Sequence, residues 1–166
     1  MPYEKIGKND PVCIADEVPF EIPESWEWVR LGSVCQLNDG KKLQSKTYNN
    51  LDARYMRGKA EANDIIVSCA GTIGETYILP SSAEIGIINQ ALMRMRITSQ
   101  INVDYFLIYF DYMVKETARE SSKGSAIKNI PPFDIFKKII LPLPPLKEQK
   151  RIVQEVQTIQ SLISSL

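Results

Sequence analysis

An α+β fold followed by a long terminal helix is the class this sequence predicts, and three patterns predict it. Short β-branched and aromatic runs punctuated by glycine fill residues 26–97, a helical apolar stripe occupies 105–117, and a heptad seam runs through 152–166. With 166 residues and 44% apolar side chains, the chain can bury a core without help from a metal or a disulfide.

The first 25 residues are acidic and broken by Pro2, Pro11, Pro19 and Pro23, which reads as an extended arm laid on a surface. Trp26–Leu31 and Ser33–Leu37 suit two strands joined by a tight bend at Gly32, and Asn38-Asp39-Gly40 marks a turn. The stretch 41–63 is polar, basic and tyrosine-bearing with no apolar stripe to bury, so a long loop or edge excursion is expected there. Asp64–Ala70 is an apolar run of strand length closed by Gly71 and Gly74, and Thr76–Leu79 and Ile85–Ile97 supply further β-rich segments.

Asn102 stands as an N-cap before Tyr105, Phe106, Tyr109, Phe110, Met113 and Thr117, whose spacings of one, three and four predict a core helix. Ser121–Ser125 breaks it, and Pro131-Pro132 prevents its resumption. Ile139–Leu141 reads as a last short strand before Pro142, and a second helix is expected to start near Pro145. Ile152, Val156, Ile159, Ile163 and Leu166 lie four, three, four and three apart, with Val153 and Gln160 flanking them. A helix over 145–166 is about 33 Å long, and a stripe of that length calls for a partner.

Several function classes are excluded or weakened. The chain has no histidine, which removes the usual general base and with it Ser-His-Asp and Cys-His arrangements. Cys13, Cys35 and Cys69 match neither a disulfide framework nor a zinc site, so no metal or other cofactor is expected. Cys69, inside an apolar run, reads as a small buried hydrophobe. Gly71-Thr72-Ile73-Gly74 lacks the lysine of a P-loop and the third glycine of a dinucleotide fingerprint, and reads as a tight turn. Neither an export signal nor an apolar run of membrane-spanning length occurs, which points to the cytoplasm.

Net charge is zero, but its distribution is uneven. Residues 1–27 hold seven acids against Lys5 and Lys8, whereas 41–59 holds Lys41, Lys42, Lys46, Arg54, Arg57 and Lys59 against Asp52 alone. Such cations neutralise phosphates without reading sequence. Base edges are read by paired donors and acceptors, for which Gln44, Asn49, Asn50, Arg54, Arg57, Asn89, Gln90 and Arg94 qualify. Each has an alternative: the basic stretch as ordinary solvated surface, Asn89 and Gln90 as amides satisfying a strand bend, and Arg94 with Arg96 as the solvent side of a strand whose other side is Met93, Met95 and Ile97.

Five segments occur in order: EIPESWEWVRLGSV, AGTIG, INQALMRMRI, GSAIKNI and LPLPPLKEQKRIV. Together they resemble the specificity subunits of type I restriction-modification systems, from about Tyr3 to Leu166. The resemblance implies a target-recognition domain over 26–144, with a curved mixed β-sheet and packed helices, that reads one half of a split DNA site. It implies a coiled-coil dimerisation or spacer helix over 145–166, carried by Ile152, Val156, Ile159, Ile163 and Leu166, after the arm 1–25. The DNA-contact set under this resemblance is Lys41, Lys42, Gln44, Lys46, Arg54, Tyr55, Arg57, Lys59, Asn89, Gln90, Arg94, Lys123 and Lys128.

The implied partners are double-stranded DNA, the methyltransferase and restriction subunits that hold the catalytic centres, and a second specificity half or a second copy of this chain. A full family member has two recognition domains, so a fragment or a half-subunit is expected here. The competing reading is a non-catalytic coiled-coil assembly module whose basic stretch is incidental. A stand-alone nuclease or methyltransferase needs a carboxylate cluster or a cofactor loop, and the sequence offers neither.

Overall fold

A computed structural model describes residues 3–4, 8, 10–39, 59–121 and 136–165, and all structural statements concern these residues. The elements are β1 (Tyr3–Glu4), β2 (Val12–Cys13), a 3-10 turn (Ala15–Glu17), β3 (Glu27–Arg30), α1 (Leu31–Val34), β4 (Cys35–Asp39), β5 (Lys59–Ala60), β6 (Ile65–Ser68), β7 (Thr76–Ile78), β8 (Gly86–Ile87), β9 (Leu92–Ile97), α2 (Val103–Ser121), β10 (Ile140–Leu143) and α3 (Leu146–Ser164). The α+β class is as the sequence predicts.

The central sheet runs in the order β4-β9-β6-β7, with smaller pairs β1-β2, β3-β10 and β5-β8. All these pairings are antiparallel. One face of the central sheet carries Leu37, Ile65, Val67, Met93 and Met95, all buried against Phe106 and Phe110 of α2. Alternation along each strand delivers that face, since side chains two apart point the same way.

Asn102 caps α2 as predicted: its Oδ1 accepts the Tyr105 N–H at 3.0 Å. Two tyrosines four apart on α2 then reach two carbonyls two apart on β10. Tyr105 donates its hydroxyl proton to the Pro142 carbonyl at 2.8 Å and Tyr109 to that of Ile140 at 2.9 Å. The match is geometric, because a helix rises about 6 Å over four residues and a strand about 6.7 Å over two. Burial, helped for Tyr109 by the neighbouring Tyr112 phenol, pushes both phenols up, Tyr109 to about 12.

Three local expectations need correction. Trp26–Leu31 and Ser33–Leu37 are not a pair of strands about a bend, because α1 intervenes and buries Leu31 and Val34. The strands on either side pair elsewhere, β3 with β10 and β4 with β9. Gly32 admits this arrangement: its N–H donates to the Lys137 carbonyl at 2.9 Å, and a Cβ there would stand 2.9 Å from that of Lys137. Asn38 and Asp39 are strand residues opposite Arg94 and Met93, since pairing with β9 outweighs their turn preference. The last strand passes through Pro142 to Leu143. The β-rich run 85–97 supplies β8 and β9 on either side of a turn at Asn89.

The tight turn 71–74 stands as read. Gly71 and Gly74 have φ of +79° and +87°, and the Gly74 N–H donates to the Ser68 carbonyl at 2.8 Å. Cys69 is partly buried against the core. Trp26 and Trp28 are both half-buried, with Trp28 packed on Phe20 at 5.1 Å between ring centres.

Described parts of the acidic arm are tied to β3 by Arg30. Its guanidinium donates to both Glu4 oxygens, at 2.9 and 2.7 Å, to Glu17 at 2.6 Å and to the Lys138 carbonyl at 2.6 Å. Those bonds hold the Glu4 and Glu17 carboxyls below the usual carboxylate range.

Candidate nucleic-acid interface

Lys59, Asn89, Gln90 and Arg94 are the DNA candidates within the described residues. Lys41, Lys42, Gln44, Lys46, Asn49, Asn50, Arg54, Tyr55, Arg57, Lys123 and Lys128 lie outside them. Two of the four, Lys59 and Arg94, meet at the second face of the central sheet, opposite the core.

On that face β9 presents Arg94 and Arg96. Arg94 is not a solvent residue: it is 6% exposed, and its Nη1 donates to the Lys59 carbonyl of β5 at 2.9 Å. Arg96 is partly exposed and holds Asp64 in a fork, Nε to Oδ1 at 2.7 Å and Nη2 to Oδ2 at 2.9 Å, while Nη2 also reaches Glu61 at 3.0 Å. Asp64 is fully buried, accepts the Glu61 N–H at 2.8 Å and lies 3.9 Å from the Arg94 guanidinium. The Lys59 ammonium forms an ion pair with Glu61. The hydrogen bond and charge of Lys59, and after them the charge of Arg96, hold the Glu61 carboxyl below its ordinary range.

Register explains why this cluster forms. Arg94 stands opposite Asn38 on one side and Ile66 on the other, with Tyr77 beyond Ile66, so one row crosses all four strands. Asp64 closes the turn from Glu61 that leads into β6, in which Asn63 adopts a φ of +67°. Sequence reasoning missed Asp64 and Glu61 as partners of the two arginines. The available signal was an acidic residue beside an apolar strand and two arginines on one side of another, a pairing that becomes visible once β6 and β9 are neighbours.

Asn89 uses its Oδ1 to accept the Ala91 N–H at 2.9 Å, the bend-satisfying role, while it and Gln90 are exposed at the turn leading into β9. Exposed Tyr77, Ile85 and Ile87 belong to β7 and to β8 with the residues just before it.

The terminal helix is attached by its first turns. Gln149 is fully buried and spends its whole amide: Oε1 accepts the Asn102 N–H at 2.7 Å, and Nε2 donates to the carbonyls of Pro144 at 2.7 Å and Gln100 at 3.1 Å. Sequence reading passed over this residue, because a glutamine in a helical run looks solvated. Val153 is buried, and Ile152 and Val156 are half-buried. Further along, Ile159, Leu162 and Ile163 are 55%, 61% and 64% exposed, so the seam leaves the domain surface unpartnered; Leu166 lies outside the described residues. An open groove of about 780 Å³ separates Pro23, Ser25 and Trp26 from Lys147, Lys150 and Arg151 at the start of this helix.

Among the described residues no group of three or more Cys, Asp or Glu side chains is placed to hold a metal ion, and no helix is long and apolar enough to cross a membrane.

Comparisons with known proteins place this arrangement. A family model for the type I restriction modification DNA specificity domain matches residues 58–165. The specificity subunit of the type I restriction enzyme EcoBI of Escherichia coli is 30% identical over 167 residues, covering 97% of this chain and 34% of that one. The MjaVIII specificity subunit of Methanocaldococcus jannaschii is 26% identical, covering 89% and 39%. The chain thus spans 34–39% of the length of these two relatives. The HsdS subunit from Thermoanaerobacter tengcongensis shares the fold, with a TM-score of 0.63 at 24% identity over 89% of this chain and 40% of that one. With the family match running from β5 through β9 and α2 to the terminal helix, this chain belongs to the type I restriction modification DNA specificity domain family.

Proposed function

We propose that this chain reads one half of a bipartite DNA site as the specificity element of a type I restriction-modification complex, and that it performs no catalysis itself. The observation that carries the proposal is the family match over 58–165, adjoining a stretch 41–59 with six basic residues and one acid. In this reading residues 26–144 contact double-stranded DNA in the cytoplasm, and methyltransferase and restriction subunits supply the chemistry. Lys41, Lys42, Lys46 and Lys59 neutralise phosphates, whereas Arg54 and Arg57, with planar forks suited to guanine, read bases. Arg94, turned inward onto Lys59, supports the surface instead of reading it.

A duplex-binding titration over salt concentration tests the reading. With about five phosphates neutralised, log affinity falls against log salt with a slope of about −4 to −5. Affinity that ignores salt, or no binding to any duplex, would overturn it.

The exposed Ile159, Leu162 and Ile163 support a second element of the proposal, that residues 145–166 form a coiled coil with another specificity half or with a second copy of the chain, in antiparallel order. An assembly module without DNA binding is what remains should the duplex titration fail.

A further inference from the structure

We infer that Asp64, Arg94 and Arg96 form a positioning clamp that fixes Lys59, the last cation of the basic stretch, against the sheet, and that this clamp governs how sharply the chain distinguishes one duplex from another. The inference rests on the proposed DNA reading and names residues that act there without being counted among the base readers.

The energetics single the cluster out. Burying the Asp64 carboxylate between two guanidiniums carries a desolvation cost that apolar side chains of similar volume would avoid. The core face already supplies that apolar packing through Met93, Met95, Ile65 and Val67. What the ions add is direction. Three of their bonds reach beyond the central sheet to residues 59–61: Arg94 to the Lys59 carbonyl, Asp64 to the Glu61 N–H, Arg96 to the Glu61 carboxylate.

Among the described residues β5 spans Lys59–Ala60 and pairs with the two residues of β8, Lys59 with Ile87 and Ala60 with Gly86. A ribbon that short has little stability of its own. The clamp therefore determines where Lys59, the last cation of the basic stretch, sits. Phosphate contacts supply affinity whatever the register, but base readers must arrive in place to within about 0.5 Å.

The test uses the full chain carrying Arg94→Lys, which keeps the charge and removes the fork. Amide exchange without DNA is expected to speed up at residues 59–61 and to stay slow in β6 and β9. Titration against a duplex selected from a random library by the wild-type chain, and against random duplex, is expected to show the ratio of the two affinities falling about tenfold with random binding little changed. Arg96→Lys, at a more exposed position, carries the same expectation if Arg94→Lys does not fold. Unchanged exchange at 59–61, or equal loss on both duplexes, would overturn the clamp. A wild-type chain that binds no duplex would remove the DNA reading and the clamp's part in discrimination, while the exchange result still decides whether the clamp holds Lys59.

Discussion

The side-chain oxygen of Gln149 accepts the backbone N–H of Asn102, so the residue that caps α2 is itself held by the first turn of α3. One buried amide thus joins the two helices and, through Pro144, the end of β10. Gln149→Leu leaves one donor and two acceptors buried without their partners, and is expected to cost about 3 kcal/mol in urea unfolding. A loss under about 1 kcal/mol would mean that water replaces the amide.

Tyr109 gives the fold a pH limit on the alkaline side. Its phenol titrates at about 12 in the folded chain, above the usual 10, so its contribution is intact below pH 10 and is lost as pH rises towards 12. Tyr105, displaced in the same direction, adds to the decline. Tyr109→Phe is expected to lower stability at pH 7 by about 1 kcal/mol and to make the fall between pH 10 and 12 shallower, as followed by circular dichroism. An alkaline profile identical to wild type would show that the phenol is not the responsible group.

Gly74 ties the turn between β6 and β7 to α2. A Cβ there would lie 2.5 Å from Cγ1 of Val114, on a backbone with φ of +87°. Gly74→Ala is expected to cost about 2 kcal/mol or more, and Val114→Ala in the same chain to recover only the part due to the clash. Complete recovery would show that the positive φ carries no strain.

Ile159 lies 55% exposed on the free part of α3. Ile159→Asp is expected to shift light scattering towards the monomer at high micromolar concentration while the melting temperature of the domain changes by no more than about 1 °C. A wild-type chain that is already monomeric there would remove the coiled-coil proposal.

Periodicity made the scaffold legible. The α2 stripe, its Asn102 cap, the run at β6 and the turn at Gly71 and Gly74 all follow from local spacing and turn chemistry, and the structure has them. Partnership was not legible in the same way. Which strands pair depends on contacts across the chain, so β3 and β4, adjacent in sequence, turned out to have β10 and β9 as neighbours. Arg94 shows the same limit at the candidate site: alternation with methionine marks it as facing away from the core, while its burial beside Lys59 and Asp64 depends on contacts between distant segments. Gln149 was hidden for the related reason that its value lies in three backbone groups contributed by distant segments.

The phenols of Tyr105 and Tyr109 have one more effect, on what the folded chain does not do. A strand with a free edge offers a row of acceptors and donors onto which another polypeptide can add, which is how folded β-proteins begin to aggregate. β10 has its pairing edge filled by β3, while the carbonyls of Ile140 and Pro142 are claimed by hydroxyl protons from α2. Pro142 has no N–H to offer in their place. The segment that leads into the terminal helix thereby offers little main-chain bonding to an added strand, the kind of contact that accepts almost any sequence.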